Sequence, residues 1–281
     1  MNRRLLINVG LAIAVAALGA WMILEPGPKG AAEVALSDRK PAEARSIHIE
    51  RNGLPTFVLL KSGGRWQQTE PFAARTDNTQ AQRLLDLLAA KSRTVFPADD
   101  LARFELDHPF ARVTIDNRVF AFGTVNPLTG EQYVLSGNKV FLLSPVFGYG
   151  LPTQADSMTT HMLFGDDETP VAFELASGRL ESKDGKSRWT PPTETTGKLS
   201  QDDFARWLDD WRFASSLATR PATAAKAGEA VRITMKDGKS VEFQVVTREP
   251  EFILRRLDEK LEFVFAADRA QRLLSPPSTA K

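Results

Sequence analysis

Residues 57–66 read FVLLKSGGRW, and residues 179–189 read RLESKDGKSRW. Each stretch contains two short strand-like runs around a glycine turn, and each ends in Arg-Trp. Asp184-Gly185 supplies the positive φ values that a two-residue hairpin turn requires. The two stretches therefore predict two β-hairpins, at an offset of about 120 residues, and the search for an internal repeat starts from them.

The neighbours of the two hairpins also correspond. Residues 46–50 and 171–174 precede them with the alternation of apolar and polar positions typical of a half-buried strand. A Pro-containing stretch (Pro71; Pro191-Pro192) and an amphipathic helix follow each hairpin, with Asn78 and Ser200 as predicted N-caps and Asp203 completing a capping-box arrangement. Both helices have apolar residues at i, i+3, i+4 and i+7, namely Ala81, Leu84, Leu85 and Leu88 in the first and Phe204, Trp207, Leu208 and Trp211 in the second.

Four strand-like segments then follow in each half of the chain. They are residues 112–115, 119–122, 132–135 and 140–143 in the first half, and 231–235, 241–246, 252–256 and 261–265 in the second. The sequence thus predicts an α+β fold with two tandem related units, each a mostly antiparallel sheet with a packed helix. We place the first unit at 46–149, a linker at 150–169, the second unit at 170–267, and a short helix with a flexible tail at 268–281.

The N-terminus predicts a membrane anchor. Residues 5–24 carry no charge, and a run of about 20 residues spans a hydrocarbon core of about 30 Å. Arg3 and Arg4 precede this run, so the positive-inside rule places residues 1–4 in the cytoplasm and the bulk of the chain outside it. Residues 25–45 have the composition of a spacer. The expected location is the bacterial inner membrane, single-pass, with the units in the periplasm.

A cleaved signal peptide is the alternative interpretation of the same segment. Ala17-Leu18-Gly19 offers a small-residue cleavage site before Ala20. The apolar run is longer than the usual 7 to 15 residues of a signal peptide, which favours retention. Both interpretations export the rest of the chain.

Composition excludes several classes of function. The chain has 36 Lys and Arg against 35 Asp and Glu, and without Arg3 and Arg4 the remainder has 34 against 35. Nucleic-acid binding is not expected of such a balanced chain. The sequence has no Cys, which excludes disulfides, thiol catalysis and iron–sulfur ligation.

A set of short motifs gives a family resemblance. It comprises Trp66 before Pro71, the helix around Leu84 to Leu88, Phe104-Glu105-Leu106-Asp107-His108-Pro109, Phe122-Gly123, Tyr133-Val134 and Val140-Phe141. The set resembles the DUF4340 family, closely over residues 47–143 and loosely over the second half. Glu105 stands where that family usually has Gly, which weakens any claim that a tight glycine turn is needed there. The resemblance implies a membrane-tethered envelope protein without an established activity, some members being encoded beside ABC-transporter components of the gliding-motility type. The resemblance implies no catalytic residue.

Motifs that carry chemistry elsewhere have structural explanations in this sequence. Gly185-Lys186-Ser187 and Gly238-Lys239-Ser240 lack the preceding glycine of a phosphate-binding loop and fall in predicted hairpin turns. His48, His108 and His161 have no partners at metal-ligand spacing. Asp166-Asp167-Glu168 lacks the ligand spacing of a calcium loop and is expected to be a solvated linker segment. No metal, cofactor or catalytic residue is therefore predicted.

Two groups of residues have the composition of a binding surface, and we retain one of them as a candidate. Arg248, Arg255 and Arg256 lie around the last predicted hairpin and would meet an anionic partner if exposed together. The aromatic stripe Phe204, Trp207 and Trp211 has helical spacing, so we expect it to pack in the core instead of forming a binding platform.

The leading functional hypothesis is a non-enzymatic, membrane-anchored periplasmic subunit that docks onto an envelope transport or assembly system, such as an ABC-transporter-like membrane complex. The alternative is a periplasmic ligand-binding module that uses the cleft between the two units, and a cleft along residues 150–169 would favour it. An envelope hydrolase is a third hypothesis, disfavoured because the expected motifs are missing.

Overall fold

A computed structural model of the chain describes residues 10–16, 19–20, 32–183, 186–190, 200–226 and 228–275. Residues 10–16 and 19–20 are helical, and the other residues of the predicted membrane helix lie outside the described residues, as do residues 25–31 of the predicted spacer and the tail at 276–281. No helix among the described residues is long and apolar enough to cross a membrane.

Two large sheets, both antiparallel throughout, make up most of the fold, with a few helices packed on them. This arrangement confirms the prediction of mostly antiparallel sheets in an α+β protein. Two short strands, β1 (Val34–Ala35) and β6 (Lys91–Ser92), pair in a separate two-stranded sheet. The first large sheet has nine strands in the order β5-β4-β3-β2-β8-β9-β10-β11-β7. Its strands are β2 (Ser46–Arg51), β3 (Phe57–Ser62), β4 (Arg65–Glu70), β5 (Ala74–Arg75), β7 (Val95–Pro97), β8 (Ala111–Ile115), β9 (Arg118–Val125), β10 (Gln132–Ser136) and β11 (Lys139–Leu143).

The second sheet has eight strands in the order β14-β13-β12-β16-β17-β18-β19-β15. Its strands are β12 (Pro170–Leu175), β13 (Gly178–Lys183), β14 (Lys186–Thr190), β15 (Ala218–Pro221), β16 (Ala230–Met235), β17 (Ser240–Thr247), β18 (Glu251–Arg256) and β19 (Leu261–Ala266). If the strands of the two sheets are matched by their positions in the sheet, starting from β4 and β14, the second sheet has the same strand order as the first and lacks only an equivalent of β5. The equivalent of β15 is β7, and the sequence predicted neither of these edge strands.

Four helices accompany the sheets: α1 (Asn78–Ala89), α2 (Val146–Tyr149), α3 (Gln201–Arg212) and α4 (Asp268–Leu274). The N-cap of α1 is Asp77, whose carboxylate accepts the backbone N–H of Thr79 at 2.7 Å, and not Asn78 as predicted. Aspartate takes this position because its side-chain oxygen reaches the free N–H groups of the first turn. Ser200 caps α3, with Asp203 in the predicted capping box.

Each helix buries its apolar stripe against one sheet. Leu84, Leu85 and Leu88 of α1 belong to the core of the first sheet. Trp207 and Trp211 of α3 pack on Phe173, with ring centroids 4.8 and 5.4 Å apart, so the aromatic stripe is a core feature as predicted. The indole Nε1 of the fully buried Trp211 donates to the Leu273 carbonyl at 2.9 Å, which fixes α4 on α3.

The linker at 150–169 joins the two sheets by backbone hydrogen bonds. Thr159 pairs with Thr76 next to β5, and Met162 pairs with Ser215 before β15. Leu163 is fully buried in the core of the second sheet. The linker therefore covers the β5 edge of the first sheet and contacts the segment that leads into the second.

Candidate functional site

A network of charged side chains, centred on one buried arginine, lies where the linker meets both sheets. Arg256, at the end of β18, is only 2% exposed. Its guanidinium donates to both carboxylate oxygens of Glu168, at 2.7 and 2.5 Å, and to both of Asp258 at 3.0 Å. It also donates to the Leu163 carbonyl at 2.7 Å. Guanidinium and carboxylate planes match in this bidentate geometry, so two carboxylates compensate the charge of Arg256.

Arg75 of β5 reaches the same network from the first sheet. Its Nε donates to Glu259 at 2.6 Å, and Nη2 donates to the carbonyls of Met162 at 2.8 Å and Leu163 at 3.1 Å. The Leu163 carbonyl thus accepts from both Arg75 and Arg256. Because Glu259 also lies 3.5 Å from Arg256, one connected set of charges holds the first sheet, the linker and the second sheet together. We call Arg75, Glu168, Arg256, Asp258 and Glu259 the junction network.

Burial and ion pairing act against each other in this network. Burial disfavours the charged form of Arg256, but the hydrogen bonds that Arg256 donates to Glu168 and Asp258 outweigh the effect of burial and raise the pKa of Arg256. Burial would raise the pKa of Glu168, but its bond to Arg256 lowers it below the ordinary value. The pKa of Glu259 is raised, since its burial outweighs the attraction of Arg75 and Arg256. Glu259 is therefore the junction carboxylate that protonates first as pH falls.

A cleft of about 350 Å³ lies beside the junction network. We call it the junction cleft. One wall is the linker from Thr160 to Asp166, and the opposite wall is the start of β4 with the segment that enters α1. Its charged and polar lining residues include Arg65, Gln67, Arg75, Thr76, Asp77, Asn78, Thr79, Thr160 and Asp166.

Thr76 is the unusual member of this lining. It is 6% exposed, and its hydroxyl is buried without a hydrogen-bond partner in the described part of the chain. A buried hydroxyl without a partner costs free energy, so such groups in native proteins call for an explanation. Arg75 also keeps an open donor, because among the described residues its Nη1 makes no hydrogen bond.

A second cleft of about 440 Å³ adjoins the first across Asp77, Thr160 and Met162. It adds Ser215 and Leu217 from the second unit. His161 lies on this side, with Nδ1 3.1 Å from the Ser216 carbonyl and Nε2 3.6 Å from Asp156. Both ring nitrogens face a partner, so His161 is held in place at the linker.

The three arginines predicted as a partner-binding group do not form one exposed surface. Arg248 is 57% exposed and pairs with Glu229. Arg255 is 12% exposed and donates to Glu262 at 2.8 Å, while Arg256 belongs to the junction network. Arg255 and Arg256 point to opposite faces of β18, as neighbouring strand residues must. Whether any of them binds a partner stays a prediction.

Glu262 carries its own cluster on the outer face of the second sheet. Its side chain is fully buried and accepts from Arg255, from Arg220 at 3.1 Å, and from the N–H and hydroxyl of Thr223 at 3.0 and 2.8 Å. Burial opposes the charge of Glu262, but these donors lower its pKa to about 2.

The acidic linker cluster is only partly solvated. Asp166 and Asp167 are exposed, with Asp167 paired to Arg65 at 3.0 Å, but Glu168 is drawn into the junction network. The expectation of a solvated segment is wrong for Glu168, because the buried Arg256 requires a counter-charge. No cluster of His, Asp and Glu able to hold a metal occurs within the described ranges.

Of the two Gly-Lys-Ser tripeptides, the one at 238–240 lies in a hairpin turn as predicted, where Gly238 has φ 87°. Gly185 of the other tripeptide lies outside the described residues. His48 lies on β2, and His108 is exposed next to Asp107.

Comparison with known proteins identifies the family. The profile of DUF4340, a domain of unknown function, matches residues 66–231, more than half of the chain. The chain belongs to the DUF4340 family. The DUF4340 match runs from the start of β4 to the start of β16, so it includes the linker, the junction cleft and parts of both sheets. No curated protein and no solved structure matches the chain.

Some of the residues that carry the resemblance lie in a small core on the outer face of the first sheet. Phe104, Leu106 and Val140 are buried together there, with the Tyr133 ring 4.7 Å from that of Phe104. Glu105 has φ 55° and ψ 34°, so a left-handed turn is present here with Glu in place of Gly. These residues have a structural role, because their packing holds the segment that follows α1 against the sheet.

Sequence reasoning missed Arg75, Thr76 and Glu259. The ion pair between Arg75 and Glu259 joins residues 184 positions apart. No local pattern signals such a pair, and only the possibility of a cleft at the linker was foreseeable.

Proposed function

We propose that this DUF4340 protein is a non-enzymatic accessory or docking subunit of an envelope transport or assembly system. In this proposal residues 5–24 anchor it in the bacterial inner membrane, residues 1–4 are cytoplasmic, and two related units at 46–149 and 170–267 lie in the periplasm. The uncharged run after Arg3 and Arg4 supports the anchor and its orientation. A tether of this kind raises the effective concentration of the module for membrane partners.

The junction network is the observation that carries the docking role. It connects β5, the linker and the β18–β19 turn through charges that are mostly buried, while the linker pairs with residues beside both sheets. Breaking a buried ion pair leaves an uncompensated charge, which is costly in free energy. The junction network therefore opposes movement of one unit relative to the other. A body with a fixed relation between its units binds a partner without the entropic cost of ordering them.

A crosslinked pull-down of the tagged full-length chain from native membranes tests the docking role. A chain that begins at Glu25 and is exported by a cleavable signal is the control for the anchor. Arg256→Met tests the junction, and Arg232→Met, an exposed arginine on β16, is its matched control. We expect stoichiometric recovery of a membrane complex with the full-length chain and with Arg232→Met, and reduced recovery with the other two. No specific protein in any sample would refute the docking role.

The junction cleft supports a second function, the binding of a small ligand. It lies at the linker, where a binding module would hold its ligand, and its lining is rich in polar groups. Native mass spectrometry of the full-length chain, released gently from membranes, would detect a bound small molecule. The Asn78→Ala variant, which removes an exposed amide from the cleft lining, should retain less of that molecule, and unchanged retention would place the molecule elsewhere.

A further inference from the structure

We propose that one end of the first sheet lies on the bilayer surface, where Leu128, Val146 and Tyr149 enter the interfacial region of the lipid. This inference depends on the membrane anchor proposed above, and it adds the surface through which the periplasmic part of the chain contacts lipid. Three observations support it: the end at which the chain enters the first sheet, the exposed apolar side chains at that end, and the charged side chains at the equivalent end of the second sheet.

The chain runs into the first sheet from one defined end. The Leu36 carbonyl accepts a hydrogen bond at 3.0 Å from the hydroxyl of Ser136, the last residue of β10. Two residues earlier, Val34 pairs with Ser92, whose hydroxyl donates to the carbonyl of Leu142 near the end of β11. Strands β10 and β11 are antiparallel, so the end of β11 lies beside the start of β10. Traced back from Leu36 to Val34, the chain therefore runs towards the end of the sheet where β10 starts and β11 ends.

The proposed anchor is close to this end of the sheet. Only residues 25–33 separate the end of the anchor from β1. Nine extended residues span at most about 30 Å, so the bilayer surface is within that distance of β1. The parts of the first unit at this end are the β9–β10 turn and α2, which follows β11.

Three large apolar side chains are exposed at this end. Leu128 in the β9–β10 turn is 94% exposed, and Val146 and Tyr149 of α2 are 63% and 76% exposed. Helix α2 lies against the start of β10, because a Cβ on Gly148 would be 2.1 Å from the Gln132 side chain. The turn and the helix are therefore neighbours. We call residues 126–130 and 144–151, which contain these three side chains, the apolar end.

The local structure holds the apolar side chains outwards. In the turn, the backbone N–H of Leu128 donates to the Asn126 side-chain oxygen at 2.9 Å, which fixes the loop around the exposed leucine. In α2, Phe147 packs against the core of the first sheet, so Val146 and Tyr149, three positions apart, share the opposite side. Tyrosine suits a membrane interface because its ring is apolar and its hydroxyl stays hydrated. The apolar end also contains no charged residue, although 25% of the chain is charged.

The equivalent end of the second sheet is charged. Arg248 and Glu249 lie in the β17–β18 turn, which corresponds to the β9–β10 turn. Helix α4 follows β19 as α2 follows β11, and it contains Asp268, Arg269 and Arg272. The fold therefore does not require apolar residues at these positions. Exposed apolar side chains that lie together mark a contact surface, and here they occur in the unit that follows the anchor.

Fluorescence of single-cysteine variants of the full-length chain in vesicles tests the proposal. The natural chain has no Cys, so Leu128→Cys provides one site for the fluorophore nitrobenzoxadiazole. Glu249→Cys, in the equivalent turn of the second unit, is the matched control. The vesicles consist of phosphatidylethanolamine and phosphatidylglycerol, and a second batch also contains a nitroxide-labelled phosphatidylcholine as a quencher.

The Leu128→Cys label should emit at a shorter wavelength than the Glu249→Cys label and lose intensity in the nitroxide vesicles. An interfacial group of this kind lies about 5–10 Å within the boundary of headgroups and acyl chains, where it is in reach of the quencher. Tyr149→Asp added to Leu128→Cys should reduce the quenching, because a charged side chain resists burial in lipid. Tyr149→Phe added in the same way should leave the quenching unchanged.

A wash at high pH, which removes proteins without a membrane-spanning segment, reports on the anchor separately. A chain that withstands the wash, with no quenching of the Leu128→Cys label or equal quenching of both labels, would overturn the lipid contact and keep the anchor. A chain that the wash releases would overturn the anchor and this inference together. A Leu128→Cys emission that shifts only after solubilised native membrane proteins are added during reconstitution would assign the apolar end to a protein partner and overturn the lipid contact.

Discussion

Replacement of Glu262 by Gln should destabilise the second sheet in a pH-dependent way. The carboxylate is fully buried and accepts hydrogen bonds from Arg255, Arg220 and Thr223. Gln has the same shape but no charge, and its amide nitrogen faces donors instead of acceptors. The nearly buried Arg255 would lose its counter-charge.

The magnitude follows from the lowered pKa. Glu262 falls from an ordinary pKa of 4.5 to about 2 in the folded chain. This difference corresponds to about 3 kcal/mol of folding free energy that the ionised form contributes. Because the folded pKa is the lower one, the contribution is complete above about pH 4.5 and is lost as pH falls towards about 2.

Urea denaturation followed by tryptophan fluorescence measures this loss, since Trp207 and Trp211 lie in the core of the second sheet. At pH 7 we expect Glu262→Gln to lower the unfolding free energy by about 3 kcal/mol, and the gap to wild type should shrink between pH 4.5 and pH 2.5. Glu251→Gln, an exposed carboxylate on β18, is the control. A gap that stays constant over this pH range would refute the assigned role of the Glu262 charge.

Three further substitutions test other contacts. Gly123→Ala would place a Cβ 2.1 Å from the Phe104 carbonyl oxygen, and we expect a loss of about 3 kcal/mol in urea denaturation; unchanged stability would contradict that close approach. Trp211→Phe removes the donor to the carbonyl in α4 and leaves a gap, so it should cost about 2 kcal/mol, and thermal unfolding at the wild-type temperature would refute this. Gln201→Ala frees the backbone N–H and C=O of Ser187 on the edge strand β14, which the Gln201 amide binds at 2.7 and 2.9 Å. We expect concentration-dependent self-association in sedimentation velocity, whereas a monomer at all concentrations would show that Gln201 does not protect the edge.

Periodicity predicted most of the sheet structure. All eight strand-like segments after the two helices correspond to observed strands, and no end differs by more than three residues. Five short strands were missed: β1, β5 and β6, which have two residues each, and the edge strands β7 (Val95–Pro97) and β15 (Ala218–Pro221). Strands β7 and β15 both contain proline. Their apolar alternation is too brief to detect, and they are strands because β11 and β19 offer them a free edge.

The candidate site was far less predictable. Arg256 ends an apolar strand, and the sequence named it as a partner-binding candidate on the condition that it is exposed, as most arginines are. It is buried because Glu168, 88 positions earlier, reaches it from the linker. The partnerless hydroxyl of Thr76 likewise depends on how the linker packs over β5. Contacts of this range depend on the complete topology, which local sequence patterns do not report.

The hydrogen bonds between the linker and the β5 edge bear on how the chain is synthesised. The first sheet is complete once β11 has ended at Leu143, and its exposed β5 edge is then a site where another nascent chain could add a strand. Thr159 and Thr160 emerge within the next twenty residues and bind beside Thr76 and to Arg75, before β12 begins at Pro170. A chain that folds in the order of its synthesis therefore covers the β5 edge of its first sheet before the second sheet forms, and Met162 is then the residue with which Ser215 later pairs.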